Sequence, residues 1–331
     1  MKAIRIKEHG GVEVLQTIDL PVPEPGPGQV RIKVEAAGIN FADVLTRRGT
    51  YYPLPKLPIV LGTDAAGTID ALGEGVTHLQ AGQRVVAVSF AGAYAQYVIA
   101  PALAAVPLPD DIDVDLAAGL PVSGMTAYHL THTVAPPAPG QTVVNYAAAG
   151  SVGSLVNGLA KDRGATVIAL VGSEEKAARA RELGADHTIN YRAESDVPAR
   201  VRELTGGRGA EVIYNSLMGQ TIADDFAMLA PLGHIVWFGI AAGMPNTKLL
   251  LAAMMRKFPD APTVTLYHLL ASIQHDPQRH LQGWQELFAA LREGRARLPI
   301  HAVFPLSEAA AAHDEIESRV SMGKIILKPW A

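Results

Sequence analysis

The residues from 143 to 154 have the types and spacing of a phosphate-binding turn. The segment Val143-Val144-Asn145-Tyr146-Ala147-Ala148-Ala149-Gly150-Ser151-Val152-Gly153-Ser154 leads from an apolar strand into a helix. Pyrophosphate binds where the backbone approaches it closely at a helix N-terminus, because the unpaired N–H groups and the helix dipole favour negative charge. Alanine replaces the first glycine of the G-x-G-x-x-G pattern, and small-residue turns also occur without ligands. The strand–helix context nevertheless predicts a dinucleotide site.

The next strand indicates which dinucleotide the turn would hold. Sites selective for NAD usually carry an acid at the end of this strand, to bind the ribose 2′-hydroxyl. Here the strand ends in Gly172-Ser173, and helix capping accounts for the acids that follow. Lys176 and Arg179 lie on the following helix, which suits a 2′-phosphate and therefore NADPH. An ordinary solvated lysine is the alternative interpretation of Lys176.

The elements that must position these residues change in character along the chain. Residues 1 to about 120 read as short strands separated by turns, and from about 140 apolar strands alternate with amphipathic helices. Repeated strand–helix–strand units predict a parallel, doubly wound sheet. The fold class is therefore α/β: a β-rich domain over 1–122, a nucleotide-binding domain over 123–262, and a return to the first domain over 263–331.

The predicted elements are short and regularly spaced. The predicted strands are Val30–Val34, Gly67–Gly73, Arg84–Val88, Gly92–Ile99, Thr142–Tyr146, Thr166–Val171, Glu211–Tyr214, His234–Phe238 and Lys324–Leu327. The predicted helices are Ser154–Arg163, Glu174–Leu183, with Ser173 as its N-cap, and a helical stretch from about 263 through Trp284–Arg292. The last strand is expected to rejoin the first domain.

Composition excludes several functional classes. The chain has 331 residues, a net charge of −4 and no basic block, which argues against a nucleic-acid partner. No apolar run is long enough to span a membrane, and the alternating N-terminus predicts a cytoplasmic protein. The chain contains no cysteine, which excludes disulfides and thiolate zinc sites. His129 and His132 are the nearest histidine pair, but they lack a third ligand, so no metal site is predicted.

Several motifs together resemble a known family. They are Gly38-Ile39-Asn40-Phe41-Ala42-Asp43, Gly49-Thr50-Tyr51, Leu61-Gly62-Thr63-Asp64-Ala65-Ala66-Gly67, Ala81-Gly82-Gln83-Arg84-Val85, the turn at 147–153, Glu182-Leu183-Gly184-Ala185-Asp186, Ile189-Asn190-Tyr191, Glu317-Ser318-Arg319 and Gly323-Lys324. In this order they resemble the zinc-free quinone oxidoreductases, the zeta-crystallin-like branch of the medium-chain dehydrogenase/reductase superfamily. The resemblance implies a GroES-like catalytic domain enclosing a Rossmann domain that binds NADPH, with the active site in the cleft between them.

The same resemblance implies roles for individual residues. Asn40 and Tyr51 are the implied catalytic residues, and the adjacent Tyr52 leaves the choice of tyrosine open. The cofactor-binding residues that it implies are Asn40, Thr126, Ala148, Gly150, Ser151, Val152, Gly153, Gly172, Ser173, Lys176, Tyr191, Asn215, Phe238, Gly239 and Lys324. Zinc-dependent relatives carry cysteine near position 40 and Gly-His-Glu near position 62, where this chain has Asn40 and Gly62-Thr63-Asp64.

Three functions remain open from the sequence. The first is transfer of hydride from NADPH to a quinone, a small-molecule electron acceptor. The second is reduction of the activated double bond of an enone or an enoyl thioester. The third is NADPH binding with little turnover. A homodimer is expected as well, since the family commonly pairs through the edge of the Rossmann sheet, for which the apolar segment His234–Ile240 is the candidate.

Overall fold

The computed structural model describes all 331 residues, which form sixteen strands and eleven α-helices. The strands are β1 Lys2–Ile6, β2 Gln16–Asp19, β3 Gln29–Ile39, β4 Ile59–Val60, β5 Asp64–Leu72, β6 Arg84–Val88, β7 Tyr97–Pro101, β8 Ala105–Pro107, β9 Thr142–Tyr146, β10 Thr166–Val171, β11 His187–Asn190, β12 Ala210–Asn215, β13 Leu229–Trp237, β14 Thr263–Leu266, β15 Ile300–Pro305 and β16 Lys324–Lys328. The helices are α1 Phe41–Arg48, α2 Val114–Ala118, α3 Ser123–His129, α4 Ser151–Asp162, α5 Glu174–Glu182, α6 Val197–Leu204, α7 Ile222–Met228, α8 Thr247–Lys257, α9 Leu269–His275, α10 Pro277–Arg292 and α11 Ala309–Glu317.

The chain divides into two units, and the first is discontinuous in sequence. Unit 1 comprises Met1–Gly124 and Leu298–Ala331, and unit 2 comprises Met125–Arg297. The predicted return of the chain to the first domain is therefore observed, but it occurs after Arg297 rather than after residue 262. The prediction was wrong there because β14 pairs with β13 and so extends the sheet of unit 2.

Unit 1 is built mainly on antiparallel strands, with β15 and β16 as a parallel pair. Its larger sheet has the order β15-β16-β3-β5-β6-β8, with β7 also pairing with β3, and a smaller sheet has the order β2-β1-β4. Alternate residues of β3, among them Val30, Ile32 and Val34, are buried in the core of this unit, as a half-buried strand requires. Strand β16 pairs with the end of β3, so the C-terminal segment is part of this sheet.

Unit 2 is a six-stranded parallel sheet of order β11-β10-β9-β12-β13-β14. The strands are apolar over most of their length because they are buried on both faces, as Val143, Val144, Ile168 and Ile213 show. The chain runs outward from β9 in one direction and then from β12 in the other. A switch of this kind opens a crevice at the carboxyl ends of β9 and β12, where ligands of such sheets bind.

Three sequence predictions differ from the structure in detail. The helix expected from Ser154 begins at Ser151, because Gly150 takes the N-cap position. The strand expected over Gly92–Ile99 is confined to Tyr97–Pro101. The segment around His234 is not an edge strand, since β14 covers it and forms the edge itself. No helix is both long and apolar enough to cross a bilayer.

Candidate functional site

The turn between β9 and α4 has the geometry of an anion-binding helix N-terminus. Gly150 is the N-cap of the twelve-residue helix α4, and no side chain caps it. The first helical backbone bond to this cap comes from the amide of Ser154, so the amides of Ser151, Val152 and Gly153 precede the helical ladder. The first turn contains no acidic residue. Donors and dipole therefore favour a negatively charged group at this place.

Gly153 allows the helix to lie directly on the turn. A Cβ atom at this position would lie 2.4 Å from the carbonyl oxygen of Ala147 and 2.7 Å from the Cα of Ala148. Both neighbours are backbone atoms, which cannot move aside as the end of a side chain can. The close packing that the fingerprint requires of its last glycine is thus present here.

Two buried asparagines hold the same turn in shape. The Nδ2 atom of Asn145 donates to the carbonyl oxygen of Gly153 at 2.9 Å and to Oδ1 of Asn157 at 2.7 Å. Nδ2 of Asn157 donates in turn to the carbonyl oxygen of Ala148 at 2.9 Å. These bonds tie the end of β9, the turn and the second turn of α4 together. Sequence reasoning did not identify Asn157, because a lone asparagine within a helix carries no signal.

The end of β10 forms a second part of the site, where Gly172 lets the Tyr191 side chain approach the backbone. A Cβ at position 172 would lie 2.7 Å from the hydroxyl of Tyr191 and 3.5 Å from Nε of Arg192. Ser173 caps α5 through the backbone amide of Lys176, as predicted. Tyr191 and Arg192 follow β11, which pairs with β10 in parallel. The structure thus adds Arg192 to the predicted residues, beside a strand end that carries no acid, and Lys176 lies in the first turn of α5.

The ends of β12 and β13 complete this edge of the sheet. Asn215 donates to Thr221 Oγ1 and Asp225 Oδ2, and its Oδ1 accepts from the amides of Leu217 and Met218. Its side chain is fully engaged in shaping the loop after β12. Phe238 follows β13 and donates its amide to the carbonyl of Asn215. Gly239 lies so close to this loop that a Cβ there would be 2.6 Å from a carbonyl oxygen of residue 216.

In unit 1, Asn40 belongs to a buried polar cluster. It is the N-cap of α1, and its Nδ2 donates to Thr63 Oγ1 at 3.2 Å. The ammonium of Lys324 donates to Asn40 Oδ1 at 2.7 Å, to Asp64 Oδ2 at 2.9 Å and to Ser123 Oγ at 3.3 Å. The side chains of Lys324 and Asp64 are both 0% exposed. We call Asn40, Thr63, Asp64, Ser123 and Lys324 the Lys324 cluster.

Beside this cluster, the two adjacent tyrosines have different environments. Tyr52 is 86% exposed, whereas Tyr51 is partly buried. Burial, together with the nearby Asp43 carboxyl, raises the pKa of Tyr51 above its ordinary value. Asp43 is itself buried, and its Oδ2 accepts from the amide of Asn40 and the hydroxyl of Tyr94. Burial raises the pKa of Asp43 to about 7.

No group of three or more His, Cys, Asp or Glu side chains in the structure could hold a metal ion. His129 instead lies against His280, with Nε2 of the first 3.2 Å from Nδ1 of the second. Trp284 donates to Nε2 of His280, so a neutral His280 carries its proton on Nδ1 and donates it to His129. Burial lowers the pKa of both histidines to about 4.

The structure divides the predicted site residues between the two units. Those of unit 2 lie at the carboxyl ends of neighbouring parallel strands, apart from Thr126, which is a buried residue of α3. The residues at these strand ends are Ala148, Gly150, Ser151, Val152, Gly153, Gly172, Ser173, Lys176, Tyr191, Asn215, Phe238 and Gly239. Asn40, Tyr51 and Lys324 belong to unit 1.

Comparison with known proteins agrees with this arrangement. Residues 26–110 match the family model described as an alcohol dehydrogenase GroES-like domain, and residues 151–266 match that of a zinc-binding dehydrogenase. The chain is 36% identical to a 2-haloacrylate reductase of a Burkholderia species over 98% of both chains. It is 37% identical to a quinone oxidoreductase of Pseudomonas aeruginosa over 99% of both chains. The crystal structure of Escherichia coli quinone oxidoreductase complexed with NADPH superposes with a TM-score of 0.94 at 34% identity, covering 99% of this chain and 100% of that one.

A β-rich GroES-like unit whose sequence is interrupted by a six-stranded Rossmann unit defines a medium-chain dehydrogenase/reductase. Within that superfamily the chain belongs to the quinone oxidoreductase family, as the motifs predicted. It is therefore an oxidoreductase of α/β fold.

Proposed function

We propose that this protein is an NADPH-dependent reductase that delivers hydride to a quinone. The observation that carries the cofactor assignment is the edge of unit 2 formed by the turn at 147–153 and the end of β10. The turn offers amides without an acidic neighbour, Gly153 lets α4 pack directly against the turn, and Gly172 lets the Tyr191 side chain lie against the end of β10. Lys176 and Arg192 supply the charges that a 2′-phosphate requires. These residues fit NADPH, which supplies a hydride from its nicotinamide ring when bound.

The residues of unit 1 supply the remaining chemistry in this proposal. Reduction of a quinone adds a hydride and a proton, so negative charge develops on an oxygen until that proton arrives. Asn40 Nδ2 is a neutral donor that can stabilise such an oxygen. Tyr51 is a candidate proton donor, because its side chain is partly buried and a phenol carries its proton at neutral pH. Both roles are proposals drawn from position and chemistry.

A double-bond reductase is the second candidate, and one relative favours it. The relative named 2-haloacrylate reductase covers 98% of this chain at 36% identity, nearly the same as the quinone oxidoreductases. Its name denotes a substrate with an activated carbon–carbon double bond. Hydride addition to such a bond also leaves a charge that needs a proton, so Asn40 and Tyr51 would serve either substrate.

The deciding experiment follows the absorbance of the reduced nicotinamide with NADPH, and separately with NADH. The acceptors are small quinones, an α,β-unsaturated ketone, 2-chloroacrylate and a crotonyl thioester. Quinone turnover with NADPH preferred is the expected result. Turnover of the enone, acrylate or thioester alone would move the protein to the double-bond reductases. NADPH binding without turnover of any acceptor would contradict both proposals and favour a non-catalytic role.

The role of Tyr51 has a matched control in its neighbour. We expect Tyr51→Phe to lower kcat by roughly a hundredfold, the lower range for general acid catalysis, if the hydroxyl protonates the product. Tyr52→Phe removes the same atom from an exposed side chain and should leave kcat unchanged. Equal kcat values for the two variants would eliminate Tyr51 as the proton donor.

A homodimer remains part of the proposal, with the edge moved from β13 to β14. The exposed apolar side chains Leu251, Met255, Phe258 and Leu266 extend from α8 to β14. An unpaired, apolar edge strand invites a second copy of the chain. We expect Leu266→Lys to convert a dimer to a monomer in sedimentation velocity. Val303→Lys, on the edge strand β15 of the other sheet, should leave the dimer intact. A cytoplasmic location is likewise proposed.

A further inference from the structure

The Lys324 ammonium is a buried cation in unit 1. Its side chain is fully buried and contacts three side-chain oxygens, those of Asn40, Asp64 and Ser123. A buried ammonium is retained only when paired and hydrogen-bonded, and here all three of its protons have an acceptor. The same contacts leave this ammonium no donor for a bound ligand.

The surrounding backbone is shaped to admit the lysine stem. A Cβ at Gly38 would lie 2.6 Å from Cε of Lys324, and a Cβ at Gly119 would lie 3.1 Å from its Cγ. The stem therefore passes between two positions that carry no side chain. Strand β16 places Lys324 there by pairing with β3, which ends one residue before Asn40. The sheet itself thus fixes the distance between the ammonium and Asn40.

The contact with Lys324 decides the orientation of the Asn40 amide. An asparagine side chain has one acceptor oxygen and one donor nitrogen, and a lysine ammonium can only donate. Oδ1 must therefore face Lys324, which turns Nδ2 toward Thr63. That hydroxyl uses one of the two Nδ2 protons and leaves the second. Thr63 does not settle the orientation, because a hydroxyl both donates and accepts. The other donors toward the Asn40 side chain are the Ser123 hydroxyl, at a long 3.5 Å, and the backbone amide of Asp43 in the capping box of α1, so the ammonium at 2.7 Å is the shortest and the only charged contact of Oδ1.

We propose that Lys324, held by Asp64, is the positioning residue that locks the Asn40 amide with Nδ2 available as a donor. Lys324 then acts on the reaction through Asn40 and does not touch the cofactor. The catalytic part of this inference depends on the proposed reductase function, whereas the amide orientation does not. This inference assigns Lys324 an indirect role in place of the cofactor contact that the resemblance implies.

The first test observes the amide itself in the wild-type protein. The chain contains six asparagines, so selective ¹⁵N-asparagine labelling gives few side-chain signals, and Asn40→Ala identifies that of Asn40. We expect the Asn40 Nδ2 protons to exchange with solvent at least roughly tenfold more slowly than those of exposed Asn246, because Asn40 is buried and one of the two protons is hydrogen-bonded to Thr63. Equal exchange rates would overturn the proposal without the need for any other variant.

The second test removes the charge. Lys324→Met retains the approximate length of the side chain without its ammonium, and we expect it to remove the exchange protection of Asn40. It should lower kcat roughly tenfold, the effect of one lost hydrogen bond to a charged group, while the NADPH Kd stays within about twofold. The matched control is Lys328→Met on the same strand, which removes the ion pair with Asp115 and should change neither quantity.

A double-mutant cycle separates positioning from a general structural role. If Lys324 acts through Asn40, then Lys324→Met should lower kcat by less than about twofold in the Asn40→Ala background. A loss as large as in the wild-type background would show that Lys324 acts independently, and would overturn the proposal. Failure of the wild-type protein to turn over any acceptor would instead refute the reductase function, and the exchange measurement would still decide the role of Lys324.

Restoring the charge provides the converse test. The chain has no cysteine, so Lys324→Cys introduces one thiol that 2-bromoethylamine can alkylate in denaturant before refolding. Alkylation forms a thioether and releases bromide, which leaves an ammonium close to the native position. We expect the refolded, alkylated protein to regain both the protection of Asn40 and kcat. Wild-type values in the unalkylated variant would show that the ammonium is dispensable.

Discussion

Loss of positive charge beside Gly172 should weaken NADPH binding and leave NADH binding unchanged. The two cofactors differ only by the 2′-phosphate, so a side chain that contacts this group affects one cofactor alone. Arg192 places Nε 3.5 Å from where a Cβ of Gly172 would lie, and Lys176 stands in the first turn of α5. The variants are Arg192→Gln and Lys176→Gln, which keep polarity and remove charge.

The magnitude follows from the exposure of this surface. A hydrogen bond to a charged group contributes about 1.5–3 kcal/mol, and solvent screening favours the lower end of that range for exposed Arg192. About 1.4 kcal/mol corresponds to a tenfold change in Kd. We therefore expect each variant to raise the NADPH Kd about tenfold. The effect should shrink at high salt, because exposed charges are screened.

The assay is calorimetric titration of each variant with NADPH and with NADH. Arg179→Gln is the matched control, since Arg179 lies on the same helix but pairs with Glu182, and we expect it to change neither Kd. Parallel weakening of NADPH and NADH in Arg192→Gln would refute the reasoning, because a residue that binds the 2′-phosphate cannot affect NADH equally.

Three further predictions concern packing and pH. Gly153→Ala should destabilise the protein by about 1–3 kcal/mol in urea unfolding, because the added Cβ would lie 2.4 Å from the Ala147 carbonyl oxygen. It should also weaken the binding of both NADPH and NADH. Unchanged stability would contradict the close packing. His129 and His280 are neutral in the fold, so their contribution to the free energy of unfolding should be complete above pH 6.5 and should fall by roughly 1 kcal/mol per pH unit and residue toward pH 4. His280→Gln should reduce this slope in urea unfolding, and an unchanged slope would contradict a buried neutral pair. Asp43 should give the opposite pH dependence: because its pKa is raised to about 7 in the fold, its contribution to stability should fall as the pH rises from about 4 to 7. The stability of Asp43→Asn relative to the wild type should therefore increase over this range. A difference that does not change with pH would show that Asp43 ionises normally.

Local patterns predicted much of the fold because they act over a few residues. Apolar runs such as Thr142–Tyr146 and Thr166–Val171 are strands with the predicted bounds, and Ser173 caps α5 as expected. The boundary between the units was misplaced because β14 has only four residues, Thr263–Leu266, too few for a clear pattern. Its assignment to unit 2 depends on pairing with β13, which no pattern in the local sequence records.

The candidate site shows the same division. The turn at 147–153 was identifiable because its function requires small residues in consecutive positions. Arg192 was not, because its relevance depends on the parallel pairing of β10 with β11. Asn157 likewise acquires a role only when α4 packs beside β9, so that its amide reaches Asn145.

The sequence by itself determined the fold class, the family and the place where a dinucleotide can bind, because these depend on periodicity and on motifs of adjacent residues. Only the tertiary structure decided which side chains form hydrogen bonds and ion pairs with each other. Lys324 and Asn40 are separated by 284 positions in the chain, and sheet pairing brings their side chains to 2.7 Å. A buried ammonium at that distance permits a single orientation of the amide, and this constraint exists only in the folded protein.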